Sequence, residues 1–556
     1  MLEKALSYLF IKISKPSEEK FNKDTENAFN KNTQVLNKIL SGNSGTEFGK
    51  RYDFSDIHGI EEYKKKVPLS AYNDYEQYII RMRAGENNIL ISEEVKFYGI
   101  SSGTTGKQKY IPVTKSSLSA VSEIMGMLMQ RILYNNFKSS WSYGKGLSLT
   151  DMAVAGYTES GTPICAGTSG GMRSVKWVIP FIWTTPVEVM NLGKGADTLY
   201  LHLLFALRER NLMYISGIFI SSVVDMFRHL EKNSEELVQD IRKGTISMNI
   251  KLSNHDRKIL LKKVSPDAKR ADFLEKEFRK GFKGIARRIW PKLIYIASVT
   301  GASFSIYDQK VEEYSGNIPV YSGVYCVTEA SVGINRHINK QSYVVIPGVA
   351  FFEFIPVEDA DEYQPSTKNL NELKIGSDYE VVVTTQAGLY RYRIGDVVRV
   401  VDFYHQSPEI EFLYRRNQLL NMVSEKTTEE HALNAVTNTF KTLGSSFEDY
   451  SVVPDNSISP GRYVFYIEAK DSLNNITAGS PSSILDKELC KANISYDRHR
   501  SKGNLAEAKV KLVKEGTFAK IKKIKTDKGI SKNQFKMPRV IRDKEIVDLL
   551  DKNTRQ

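Results

Sequence analysis

The strand-length apolar run at residues 95–100 feeds directly into Ser101-Ser102-Gly103-Thr104-Thr105-Gly106-Lys107-Gln108-Lys109, and this junction constrains the fold more than any other feature. Its glycines let backbone N–H groups approach an anion closely, while the hydroxyls and lysines supply donors and positive charge. A flexible polar turn is the plain alternative. The loop is not a Walker motif, because two residues rather than four separate Gly103 from Gly106, and Gln108 rather than Ser or Thr follows Lys107. From this loop to about residue 400, apolar runs of strand length at 293–299, 318–324, 343–355 and 380–385 alternate with helical patterns, which argues an α/β architecture. Amphipathic stretches such as 18–41 precede the loop and read as peripheral helices.

Beyond residues 411–421 the pattern changes to helix (428–442), strand (461–469) and helix (482–494), followed by a Lys-rich region. The expected organisation is therefore a large N-terminal α/β domain over 1–421, with mixed sheets and helices, and a smaller α+β domain over 422–556. Within 509–528, Val510, Leu512, Ile521 and Ile524 interrupt the lysines, so the run reads as a solvated strand face rather than a nucleic-acid patch. With 41% hydrophobic and 26% charged residues the chain is not a disordered tail or a coiled-coil rod. Its net charge of +13 suits anionic partners without choosing among them.

Cys165, Cys326 and Cys490 form no CxxC pair, which excludes a zinc or disulfide framework and fits a reducing cytoplasm. The apolar residues of 1–13 are too few for a signal peptide or a span. The stretch 212–227, containing Gly217, Ser221, Ser222 and Asp225, reads as a buried strand turning into a Ser-capped helix, so no membrane helix and no membrane partner is expected.

Several further segments carry chemistry. Gly99-Ile100-Ser101-Ser102-Gly103 and Gly167-Thr168-Ser169-Gly170-Gly171 both match the hydrolase elbow G-x-S-x-G, but no histidine is singled out for a triad and no HExxH occurs. Tyr325-Cys326-Val327-Thr328-Glu329-Ala330-Ser331 follows an apolar run, as ligand-binding clusters do at strand ends. Glu329 reads equally as a helix N-cap partner or a magnesium ligand. In Tyr390-Arg391-Tyr392-Arg393-Ile394-Gly395-Asp396, the carboxylate of Asp396 suits two ribose hydroxyls, or else a structural Arg–Asp pair. The helical stretch 117–134 holds Met125, Met127 and Met129, which suit core packing or an apolar pocket, and Arg131, which suits a substrate carboxylate or solvent.

In this order and spacing, the three segments resemble the adenylate-forming superfamily, and within it the auxin-responsive Gretchen Hagen family of acyl-acid amido synthetases. The resemblance extends from Thr46-Glu47-Phe48-Gly49-Lys50, Val67 to Tyr72 and Ala84 to Leu90, through Phe351 to Pro356, to Gln534-Phe535-Lys536-Met537-Pro538-Arg539. It implies an ATP-dependent, magnesium-requiring ligase that adenylates a carboxylic acid and passes the acyl group to an amino-acid amine, releasing AMP and pyrophosphate. By the same resemblance Ser101, Ser102, Gly103, Thr104, Thr105 and Lys107 hold the ATP phosphates, with Tyr325 and Thr328 also at the nucleotide. Asp396 binds the ribose, Glu329 meets magnesium, and Lys536 stabilises charge on the reacting phosphate from a mobile cap. Such in-line attack on phosphorus needs electrostatic positioning rather than a covalent nucleophile. Many plant members read Ser-Ser-Glu or Ser-Glu where this chain has Thr328-Glu329, so the auxin substrate is not carried over. The rival expectations are an acyl-CoA synthetase, and a nonenzymatic anion- or nucleic-acid-binding protein with a degenerate nucleotide site.

Overall fold

The structure, a computed structural model, describes residues 2–102, 108–192, 197–301, 307–416, 420–423, 425–470, 480–527 and 535–555. The fold is mixed α/β and divides into two compact units. The larger comprises Met1–Ser101, Gln108–Thr300 and Tyr307–Phe412, and the smaller contains Leu413–Gln556.

Three sheets build the larger unit. One runs in the order Gln108–Thr114, Val95–Ser102, Pro163–Ala166 and Gly156–Tyr157. A second, Gly146–Ser148, Tyr214–Phe219, Tyr295–Val299 and Val320–Tyr321, is parallel throughout. Its strand Tyr214–Phe219 passes directly into the helix Ile220–Lys232, which buries Val223, Met226, Phe227 and Leu230 at the three- and four-residue spacing of one helical face. The expected serine cap is absent there. Ser222 Oγ instead donates to the carbonyl of Phe219 at 2.7 Å.

The third sheet has seven strands, in the order Phe351–Pro356, Asp378–Thr384, Tyr392–Tyr404, Ser407–Arg415, Ser342–Val345, Ser331–Ile334 and Val324–Cys326. Two apolar runs that read as single strands are therefore split. Pro347 and Gly348 end one strand and let the chain return at Phe351 on a different part of the sheet. The run 318–324 divides into Val320–Tyr321 of the parallel sheet and the start of Val324–Cys326 of the seven-stranded one. A continuous core, including Phe48, Tyr63, Tyr75, Ile111, Tyr325, Val381 and Tyr390, packs the N-terminal helices against these sheets.

In the smaller unit Phe447–Asp455, Arg462–Ala469 and Lys509–Leu512 form a three-stranded sheet. The helix Glu429–Thr442 starts at Thr428, whose Oγ1 accepts from the amide of His431 at 3.1 Å. The Lys-rich run is strand only over Lys509–Leu512, and Thr517–Asp527 is a helix with Phe518 and Ile521 buried. Glu468, on the neighbouring strand, accepts from the amides of Gly516 at 2.8 Å and Phe518 at 3.1 Å, so a carboxylate from elsewhere in the chain caps that helix.

Candidate active site

The strand Val95–Ser102 carries the first two residues of the glycine-rich loop at its end. Gly103, Thr104, Thr105 and Lys107 lie outside the described residues, as do the side chains of Ser101 and Ser102. Two glycines explain how closely this strand is approached. A Cβ on Gly99 would lie 3.2 Å from Cγ2 of Thr328, and one on Gly170 would lie 2.3 Å from the ring of Phe97. The strand that presents the loop thus lies against the segment carrying Glu329.

That segment is the turn of a β-hairpin. Strands Val324–Cys326 and Ser331–Ile334 pair antiparallel, and the amide of Val327 bonds the carbonyl of Ala330 at 2.9 Å, leaving Thr328 and Glu329 at the tip. The N-cap reading of Glu329 is therefore excluded, since no helix follows it. Tyr392 Oη donates to Glu329 Oε1 at 3.3 Å, and Lys109 Nζ donates to Tyr392 Oη at 3.3 Å. The Lys109 ammonium also lies 5.5 Å from the ring centre of Tyr72, whose phenol burial pushes up in pKa, keeping it neutral. A lysine, two tyrosines and a carboxylate therefore line up beside the strand that leaves the loop.

Asp396 owes its placement to an irregularity in the sheet. In the pairing of Asp378–Thr384 with Tyr392–Tyr404, Glu380 faces Val397 and Val382 faces Arg393, so Ile394, Gly395 and Asp396 occupy the space opposite Val381. Gly395 takes φ +82°, a left-handed value that glycine adopts without strain. The bulge aims Asp396 into the interior, where it is 1% exposed and accepts from Tyr325 Oη at 2.8 Å. Tyr325 belongs to the Glu329 hairpin, so two of the sequence segments meet in this hydrogen bond. The neighbouring arginines have other carboxylates: Arg391 pairs with Glu353 at 2.9 Å and Arg393 with Glu380 at 2.6 Å.

Several remaining residues have structural occupations. Arg131 Nε donates to Glu18 Oε2 at 2.9 Å, tying its helix to the N-terminal region. Met129 packs against two core clusters, whereas Met125 is 39% exposed. Ser169 is buried and donates directly to Asp151 Oδ1 at 2.6 Å, with no imidazole between them. His202 bonds Thr185 Oγ1 through Nδ1, and burial pushes its pKa down to about 4. The serine–histidine–acid relay of a hydrolase is not assembled there.

In the smaller unit Lys536 Nζ stands 3.6 Å from Glu429 Oε2, at the start of the helix Glu429–Thr442. Its segment is pinned to the strand Phe447–Asp455: Ser451 Oγ donates to the Pro538 carbonyl at 2.7 Å, the amide of Val452 to the Arg539 carbonyl at 2.7 Å, and buried Arg539 pairs with Asp449. The sequence gave Lys109 only the general role of loop cation and assigned none to Tyr392 or Glu429. Lys109 and Tyr392 fall inside the motifs already singled out, but Glu429 carries no local signal.

Comparison with known proteins adds an independent line. The GH3 family N-terminal domain matches residues 17–320, the GH3 family central domain 343–415 and the GH3 family C-terminal domain 430–545. The chain is 30% identical over 545 residues to the indole-3-acetic acid-amido synthetase GH3.4 of Arabidopsis thaliana, covering 93% of this chain and 90% of that protein. It is 31% identical to the 4-substituted benzoates-glutamate ligase GH3.12 of the same plant, covering 93% of each. Among solved structures, the GH3.15 acyl acid amido synthetase in complex with 2,4-DB superposes with a TM-score of 0.87 at 28% identity, covering 98% of this chain and 96% of that one. A 2-hydroxyisobutyryl-CoA ligase shares the fold, with a TM-score of 0.53 at 12% identity over 93% of this chain and 90% of its own.

Proposed function

The chain belongs to the GH3 family, and on that premise we propose that it is an ATP-dependent acyl-acid amido synthetase. A carboxylate oxygen of the acid attacks the α-phosphorus of ATP and expels pyrophosphate. The amine of an amino acid then attacks the acyl carbon, AMP leaves with the former carboxylate oxygen, and the amine loses its proton to leave an amide. The observation that carries this reading is the convergence in one unit of the loop-bearing strand, the Glu329 hairpin and the Asp396 bulge, tied by the Gly99–Thr328 approach and the Tyr325–Asp396 hydrogen bond.

In this assignment Ser101, Ser102, Gly103, Thr104, Thr105 and Lys107 cradle the phosphates, Tyr325 and Thr328 flank the nucleotide, and Asp396 accepts from the ribose hydroxyls. Among the described residues no cluster of three or more His, Cys, Asp or Glu could hold a metal by itself. That suits Mg2+, which is usually held by one or two carboxylates together with substrate phosphates. Glu329, bonded to the Tyr392 phenol, is the carboxylate that fits. When bound there, Mg2+ would supply charge neutralisation at the phosphates. Lys109 adds a fixed cation beside Tyr392. Residues 1–421 form the ATP- and acid-binding domain, and residues 422–556 the cap, whose Lys536 stabilises charge developing on the α-phosphate. The three cysteines are free, in keeping with a cytoplasmic enzyme.

Exchange of labelled pyrophosphate into ATP tests the first step, because adenylation is reversible and needs no amine. Exchange is expected only when a suitable carboxylic acid is present. Release of ADP and inorganic phosphate without AMP overturns the proposal, and preferential formation of a CoA thioester over an amide overturns its second step.

A further inference from the structure

The larger unit carries a concentrated apolar surface on two elements that pack against each other, the helix Leu2–Ile13 and the short helix Ile179–Ile182 with the turn before it. Five of the fifteen large apolar side chains exposed among the described residues lie here: Tyr8 (47%), Leu9 (52%), Ile13 (51%), Trp177 (73%) and Phe181 (40%). Leu9 and Ile13 are one turn apart on one face of the helix. The helix buries Ile11 in a cluster with Leu133, Trp141 and Tyr295, and Tyr8 meets the Tyr143 ring edge-on at 6.0 Å, while Leu9 and Ile13 stay exposed. An exposed face of a surface helix is ordinarily polar.

Basic residues stand next to these apolar side chains in the chain, Lys12 beside Ile13 and Lys176 beside Trp177. Lys12, Arg173 and Lys176 are exposed, and between Gly161 and Val187 the chain has two basic residues and no acidic one. Lys12 reaches back over the Tyr8 ring at 4.9 Å, as a lysine does when its stem follows an apolar surface. Among the described residues no helix is long and apolar enough to cross a membrane, so the surface can lie on a bilayer but not span it. A two-fold pairing of this patch with a second copy would set the same cations against each other. Apolar side chains with aromatic rings and with lysines beside them in the chain fit the boundary of an anionic bilayer instead. We propose that Tyr8, Leu9, Ile13, Trp177 and Phe181 form a docking surface for an anionic membrane, on which the enzyme sits peripherally. The assignment is independent of the ligase reading, since it uses none of the proposed site residues.

Co-sedimentation with vesicles of phosphatidylserine and phosphatidylcholine, against phosphatidylcholine alone, tests it in the full chain. Binding is expected only to the serine-containing vesicles and should weaken as salt is raised. The double substitutions Leu9→Ser with Ile13→Ser, and Trp177→Ala with Phe181→Ala, should each lower the bound fraction at least about tenfold, as loss of buried apolar area predicts. Thermal unfolding midpoints equal to that of the parent establish that the variants fold. Absence of vesicle binding by the parent, binding undiminished in both folded variants, or a concentration-dependent dimer that Trp177→Ala dissolves would each overturn the proposal, the last by showing a contact between copies.

Discussion

Two stretches of the same strand segment, Arg391 to Arg393 and Gly395 to Asp396, differ in the groups that meet their charges. Arg391 is nearly dry and fully engaged: its guanidinium pairs with Glu353 and donates to the carbonyls of Lys64 and Val67 at 2.9 Å each. Arg393 is held likewise by Glu380 and by the Ala360 carbonyl. A few residues on, the bulge turns Asp396 onto the phenol of Tyr325, and across the site Glu329 meets the phenol of Tyr392. A hydroxyl donor orients a carboxylate without bringing a counter-ion. Spacing along the chain separates the two groups poorly, and the identity of the partner separates them well.

The largest expected effect comes from breaking the structural half of this contrast. Arg391→Ala leaves Glu353 buried without its counter-ion and should destabilise the fold by about 3–5 kcal/mol, measured by urea unfolding. A small loss would mean that the backbone carbonyls, rather than the ion pair, secure the segment.

Lys536→Ala sharpens the contrast from the chemical side. If the lysine acts mainly in the transition state, kcat and kcat/KM should fall together by roughly a hundredfold, about 2.7 kcal/mol of barrier, with ATP affinity little changed. Lys532→Ala, which removes a lysine outside the described residues of the same basic stretch, is the control. Equal small effects from both substitutions would remove Lys536 from the catalytic set.

Asp396→Ala comes next. Each charge-assisted hydrogen bond to the ribose is worth roughly 1.5–3 kcal/mol, so losing one weakens ATP binding about 10- to 150-fold. The unfolding midpoint should move far less than in Arg391→Ala. Unchanged ATP affinity with a large loss of stability would put Asp396 with the structural charges.

How much of this was legible in the sequence depended on whether the determining contact was local. The strand–loop junction at residue 100 was legible because it lies in a short motif, whereas the grouping of Tyr325 and Glu329 with Asp396, about seventy residues on, came only from the family resemblance. The helix Thr517–Asp527 was not, because its N-terminus is capped by Glu468 from another strand and its lysines mask the helical spacing of Phe518 and Ile521. Glu329 failed as an N-cap because a hairpin turn and a helix start share residue preferences, and only the pairing of Cys326 with Ser331 distinguishes them here. Arg131 gave no sign of Glu18, more than a hundred residues away in the chain. The same distance hides Glu429 from Lys536.

That last pair gives the smallest and most pointed test. Glu429 is 11% exposed and Lys536 31% exposed, at a separation of 3.6 Å. A single long pair with one partner partly exposed is worth roughly 0.2–1 kcal/mol, at most about fivefold in a rate or an equilibrium. If the contact is a resting one that must break before Lys536 reaches a phosphate, Glu429→Gln lowers the cost of release and should raise kcat by up to that factor while leaving the KM for ATP unchanged. If Glu429 instead aims the lysine in the working state, the same substitution should lower kcat by a similar factor. Glu429 also opens a helix, where a carboxylate favours the N-terminal dipole by about 0.3–1 kcal/mol, so stability should fall slightly in either case and cannot distinguish them. The sign of the kcat change does. In the background of Lys536→Ala the substitution should lose its effect on turnover and keep its effect on stability, because only the first acts through the lysine.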